Sequence, residues 1–78
     1  MAIHPEPVPP HIPAGMMISS RRHEPGQRRA EVLCAGGVWR PAEILAWARC
    51  QAGWAVFLRW PDGSEDWRLF AREHIRPL

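Results

Sequence analysis

From residue 28 onward, apolar and polar positions alternate with a period of two, the pattern of strands that bury one face. In residues 28–34, Ala30, Val32 and Cys34 fall on one side, and Ala35-Gly36-Gly37 then turns the chain. Residues 38–50 read as a long second strand, with Ala42, Ile44, Ala46 and Ala48 on one face and Glu43, Leu45, Trp47 and Arg49 on the other. Pro41 lacks an N–H for a ladder and marks an edge or bulge. A helix over residues 41–50 is the competing reading, because Pro at the first helical position followed by Ala-Glu-Ile-Leu-Ala is sound helix chemistry. After a return at residues 51–53, residues 54–60 and 65–70 form two aromatic-rich strands around Asp62-Gly63, a pair suited to a type I′ turn.

A two-residue turn there sets Trp60 opposite Glu65, Arg59 opposite Asp66, Leu58 opposite Trp67 and Phe57 opposite Arg68. Trp54, Val56, Leu58, Trp60, Trp67 and Leu69 then share one face. Ala55, Phe57, Arg59, Asp66, Arg68 and Phe70 share the other. A slip by one residue would move Asp66 and Arg68 to the face of Val56 and Leu58, so burial favours the first register. Residues 71–75 read as one 3₁₀ turn, and residues 76–78 as a short fifth strand.

Before residue 28 the pattern disappears. Residues 1–15 hold five of the nine prolines and propagate neither helix nor sheet; such a segment is extended, polyproline-like or disordered. Met16 or Met17 offers an alternative translation start that would leave it out. Residues 19–27 are a polar connector with a Pro25-Gly26 turn signal. The expected organisation is a disordered Pro-rich leader and connector over residues 1–25, contributing nothing to stability, followed by one all-β domain over residues 26–78. Four meandering strands, one 3₁₀ turn and a last short strand describe a small five-stranded SH3-like barrel, whose tight interior suits Ala42, Ala46 and Ala48.

Composition narrows the function classes. A chain of 78 residues buries only about 60% of its unfolded surface. Five Trp and two Phe cannot all be enclosed, so some face solvent, a ligand or another subunit. The ten basic residues are all Arg, a bias that fits high-GC coding. Arg21 and Arg22 balance Glu6 and Glu24, which leaves the whole net charge of +2 in residues 28–78. That is short of the clustered footprint of a dedicated nucleic-acid binder. Cys34 and Cys50 lie at opposite ends of a hairpin, without the spacing of a zinc site, and read as buried thiols in a reducing cytoplasm. No apolar run reaches the length of a membrane span, and the N-terminus lacks a signal-peptide pattern.

Trp39-Arg40-Pro41-Ala42-Glu43-Ile44, then Trp54-Ala55-Val56, Glu65-Asp66-Trp67 and Ile75-Arg76-Pro77 make the chain resemble the Tudor and chromo-barrel group over roughly residues 28–78. That resemblance implies an aromatic cage for methylated Lys or Arg, with Trp39, Trp60, Trp67 and Phe70 as the positions carried over. The chain is also similar to the plasmid-encoded type II dihydrofolate reductases at Ile44-x-x-Trp47, Gly53-Trp54-Ala55-Val56 and Gly63-Ser64. Those enzymes are tetramers of SH3-like barrels whose pore is lined by a Val-Gln-Ile-Tyr strand. Glu65-Asp66-Trp67-Arg68 stands at that place here.

Candidate sites follow from the expected faces. Extending the register across residues 51–53 gives an outer patch of Leu45, Trp47, Phe57 and Phe70 ringed by Arg49, Arg59 and Arg68. It is the expected surface for a protein or peptide partner or for self-association. In the alternative, the second strand bends and Trp47 plugs an end of the barrel. Nucleic-acid binding is the runner-up, with Arg21, Arg22, Arg28 and Arg29 as phosphate contacts and exposed Trp side chains as stacking platforms. His4, His11, His23 and His74 have no metal-ligand spacing, and Ser19, Ser20 and Ser64 no His–Asp partners. The expected activity is non-catalytic binding without a cofactor.

Overall fold

The computed structural model describes residues 5–18 and 28–78. Its strands are β1 (Arg28–Cys34), β2 (Val38–Cys50), β3 (Gly53–Arg59), β4 (Glu65–Leu69) and β5 (Ile75–Pro77). All neighbours pair antiparallel in one sheet of order β4-β3-β2-β1-β5. Helical geometry among the described residues is limited to short turns. One lies just before β5, where His74 and Ile75 both donate their N–H to the Ala71 carbonyl. Residues 41–50 are strand, so the local helix preference gives way to pairing with β1 and β3 along a thirteen-residue strand.

The sheet wraps a cluster in which Val32, Ile44, Val56, Leu58 and Ile75 are sealed from solvent, with Ala30, Ala42 and Trp60 beside them. Each large aliphatic side chain enclosed this way contributes about 1.5–3 kcal/mol. Tight turns hold the meander together. Gly36 and Gly37, both at positive φ, connect β1 to β2 in a conformation that side chains with a Cβ disfavour.

Two departures from the sequence reading reassign the faces. First, the β3–β4 connection is not a two-residue Asp62-Gly63 turn. Pro61 takes the second position of a turn from Trp60 to Gly63, closed by the Gly63 N–H on the Trp60 carbonyl at 2.8 Å. Gly63 alone has positive φ, +89°, and Asp62 does not, which excludes type I′. The Trp60 N–H then donates to the Ser64 carbonyl, and the Asp62 carboxylate accepts from the Ser64 N–H and hydroxyl. A proline-led turn with a glycine bulge adds one residue to the loop. The register becomes Phe57 opposite Trp67 and Leu58 opposite Asp66. Asp66 and Arg68 therefore do lie on the face of Val56 and Leu58. Adding a Cβ at Gly63 meets no atom within 4 Å, so the penalty of Gly63→Ala is purely backbone. It is expected at about 1–2 kcal/mol by urea denaturation, whereas Gly15→Ala, at ordinary φ, should be near neutral.

Second, β2 carries a bulge between Ile44 and Ala46. Ile44 pairs with Leu58 on the inner face. Beyond the bulge it is Trp47, not Ala46, that pairs with inner-facing Val56. Ala46, Ala48 and Cys50 are turned to the opposite side.

That opposite side has a cover. Ile12, Cys50 and Ala55 form a second buried cluster with Met16, Met17, Trp67 and Leu69 packed against it. Within the Pro-rich leader, Pro13 at φ −69° and ψ 155° and Met17 are extended, on either side of one 3₁₀ turn at Ala14–Met16. Residues 5–18 run from the end of β1, where Val8 donates to the Leu33 carbonyl, to the edge of β4, where Ile12 donates to Trp67 and Leu69 donates to Pro10. Next they reach the end of β2, where Ile18 donates to Arg49 and Gln51 to Met16. This segment adds apolar cover to the second cluster through Ile12, Met16 and Met17. Residues 1–4 and 19–27 lie outside the described residues.

Candidate functional site

The inner face of the sheet runs past the end of its core, and aromatic side chains collect there. Arg49 pairs with Trp54 across β2 and β3, one step beyond Trp47 opposite Val56. Side chains diagonal on one face lie close enough for large rings to meet. On the β4 side, the Phe70 N–H donates to the Trp54 carbonyl at 2.8 Å. Phe70 meets Trp47 edge-on, with centroids 5.0 Å apart and planes at 77°. Trp47 and Phe70 pack against the main core, whereas Trp54 remains 46% exposed. The Arg49 guanidinium sits over the Trp54 ring, 5.1 Å from its centroid. This end is a mixed surface of one exposed indole, two half-buried rings and a cation.

A more polar arrangement occupies the other end. Trp60 is buried, its indole Nε1 donates to Asp66 at 3.0 Å, and Arg40 stacks over its ring at 4.9 Å. Arg68 grips the second Asp66 oxygen with Nε at 3.0 Å and Nη2 at 2.8 Å, and its Nη1 donates to the Pro9 carbonyl at 3.1 Å. Fork geometry and partial burial make this a strong pair. A cleft of about 180 Å³ opens between this network and Pro5, Glu6 and Pro7. Beside Trp60, a groove of about 380 Å³ is lined by Ala30, Ala42, Glu43, Arg59 and Pro61.

The residues expected from the sequence are thus distributed differently. Trp47 and Phe70 belong to the inner aromatic end, so Trp47 plugs an end of the core, as the bent-strand alternative has it. Phe57 lies on the opposite face and packs against Trp67 with centroids 5.0 Å apart. Leu45, half-buried, sits at the bulge. Arg59 pairs with Glu65 at 2.8 Å, and Arg68 with Asp66. The expected single patch of Leu45, Trp47, Phe57 and Phe70 is divided by the bulge and the longer turn. The cage positions also separate. Trp39 lies under the Arg76 guanidinium at 3.5 Å, Trp60 is held by Asp66, and Trp67 packs beside the leader. Of the proposed phosphate contacts, Arg28 donates to the Leu78 carbonyl and Arg29 lies opposite Glu43, while Arg21 and Arg22 fall outside the described residues.

Sequence reasoning missed the exposure of Trp54, and it set Arg49 at the rim of a different patch rather than over the Trp54 ring. The signal was present in the Gly53-Trp54 step at a hairpin end, where an inward-facing side chain outruns its cover. Cys34 and Cys50 are buried free thiols. Burial pushes the Cys34 thiol above its ordinary pKa, against the opposing pull of Arg40. Among the described residues no His, Cys, Asp or Glu side chains gather in a group able to hold a metal ion. No helix among them is long and apolar enough to cross a membrane. Compared with known protein families, characterised proteins and solved structures, the chain matches none.

Proposed function

We propose that this protein is a cytoplasmic, non-catalytic binding module, an SH3-like barrel that engages a protein partner through the aromatic end formed by Trp47, Trp54 and Phe70 with Arg49. The observation that carries this reading is the 46% exposure of Trp54 in a chain short of surface to spare. Exposed indoles beside half-buried rings and an arginine have the composition of interface hot spots. Arg49 already demonstrates, within the chain, that this ring accepts a guanidinium on its face. The nucleic-acid reading gains no comparable support. Arg59, Arg68 and Arg76 each have a carboxylate partner, at 2.8, 2.8 and 3.7 Å, which offsets their attraction for phosphate.

Selection of displayed peptides against the full chain, followed by titration of the winners, tests the assignment. Trp54→Ala should cost about 1–2 kcal/mol of folding stability, less than a core truncation, because nearly half of the residue is in solvent. It should weaken selected binders by about 1–3 kcal/mol, the ordinary hot-spot range. Binders indifferent to Trp54→Ala would place the surface elsewhere. Oligonucleotide binding that falls steeply with salt would favour phosphate recognition instead.

A further inference from the structure

Residues 5–18 run from the end of β1 along the β4 edge to the end of β2, and Ile12, Met16 and Met17 pack against the apolar face of Cys50, Ala55, Trp67 and Leu69. Prolines have no N–H, so along this segment carbonyls and the N–H groups of the non-proline residues share the bonding to the strands. Pro9 accepts from Arg68 Nη1 at 3.1 Å, Pro10 from the Leu69 N–H at 2.9 Å, and Glu6 from the Ala35 N–H at 2.8 Å. Only Val8, Ile12 and Ile18 donate in return, to Leu33, Trp67 and Arg49. The contacts with the strands are three isolated bridges, Pro7 with Cys34, His11 with Arg68 and Met17 with Cys50, rather than a ladder. Two side chains in the first part of the segment are enclosed, Pro9 and Ile12; Val8, Pro10, His11 and Pro13 are exposed. The segment is thus held by backbone carbonyls, three N–H groups and a few apolar side chains, the means by which a strand edge holds an extended ligand.

Lifting it away leaves every pairing among β1 to β5 intact, and uncovers Ala55, Cys50 and the β4 groups of Trp67 and Leu69. An uncovered strand edge beside an apolar face takes an extended peptide by strand addition. A polyproline-like peptide loses little conformational freedom on docking.

We infer that the β4 edge and the apolar face beside it form a receiving site for an extended, proline-containing peptide of a partner protein, and that residues 5–18 are its resident occupant. The partner segment carries a Pro-Pro pair followed, one residue later, by an aliphatic side chain, as Pro9-Pro10-His11-Ile12 does here. Arg68 reads the carbonyl of the first proline, and the pocket beside Cys50 and Ala55 reads the aliphatic group. The site is distinct from the Trp54 end: Cys50, Ala55, Trp67 and Leu69 lie on the opposite face, and Arg68 reaches the segment from the core side. The resident competes with any incoming peptide and lowers its apparent affinity by the fraction of chains whose site is vacant.

The test uses the full chain, a dye-labelled synthetic peptide of residues 5–18, and the variant Ile12→Ser, which weakens the resident. The peptide should bind Ile12→Ser at least ~tenfold more tightly than the unaltered chain, because competition is relieved. A peptide with serine in place of its own isoleucine should bind neither. Equal binding to both proteins, or none to a variant with an unaltered circular dichroism spectrum, overturns the proposal. Should Ile12→Ser fail to fold, hydrogen exchange on the unaltered chain decides. The amides of Val8, Ile12, Ala35 and Leu69 should exchange at least ~tenfold faster than those in the middle of β3, through local release. Exchange of both sets at one rate makes the segment an inseparable part of the core and overturns the proposal. A doubled mass by light scattering that Ile12→Ser abolishes would give the site to a second copy, against a foreign partner.

Discussion

Truncating Leu58 to alanine is expected to cost about 2–5 kcal/mol, while the same kind of truncation at Ile12 should cost only about 1–2 kcal/mol. Both side chains are buried, at 0% and 4% exposure, so burial alone predicts similar losses. The difference lies in what each holds. Leu58 sits among Val32, Ile44, Val56 and Ile75, contributed by four strands, and a cavity there cannot close without moving the sheet. Domains of this size have roughly 4–12 kcal/mol of stability, so Leu58→Ala removes a large part of it. Ile12 anchors a segment that touches the strands at separate points. Once its docking energy is lost, the segment lifts off and the five strands persist, so the loss stops at that docking energy. Urea denaturation of the two variants measures both numbers. Equal losses of several kcal/mol would mean that residues 5–18 fold as one cooperative unit with the sheet.

How much of this was legible in the sequence depends on which interaction decided each feature. Strand content was legible, because alternation over residues 28–34 and 38–50 is a local property and survives any change of partner. The turn before β5 was legible for the same reason. Register was not, because it hinges on one residue in a loop. Asp62-Gly63 is a good type I′ pair, but Pro61 is a better second residue for a type I turn, and the two differ by one position. From that single step follows the inversion of every side chain in β4. The burial argument failed because it treated Asp66 and Arg68 as separate charges seeking solvent. They face the core side as a bonded pair, with the Trp60 indole and the Pro9 carbonyl as further partners. The bulge near Leu45 left no sequence mark beyond Pro41, several residues away. The leader's seat depends on Ile12, one aliphatic residue in a proline-rich stretch that periodicity passes over. Which aromatic side chains share a face, and what covers them, was settled by these three non-local choices.

The second large effect is expected at Asp66. Asp66→Ala takes Oδ1 from the buried Trp60 indole and, from Arg68, the single oxygen Oδ2 that accepts from both Nε and Nη2. The Asp66 and Arg68 side chains are only 23% and 15% exposed, so water replaces these bonds incompletely. Bonds to charged groups of this kind are worth about 1.5–3 kcal/mol each, and a half-buried cation left alone adds a desolvation penalty. A loss of about 2–3 kcal/mol is expected in urea denaturation. Asp66→Asn should lose less, because its carbonyl oxygen still accepts from Trp60. Arg68→Ala should also destabilise, and in addition frees the Pro9 carbonyl from its donor. If the two charges work as one unit, the double variant Asp66→Ala/Arg68→Ala costs at least about 1 kcal/mol less than the sum of the single losses. Removing both partners leaves no orphaned charge, which is the physical source of that deficit. Simple additivity would instead mean that each side chain acts alone, and that the register which turns Asp66 and Arg68 toward the core rests on the Pro61 turn without help from their pairing.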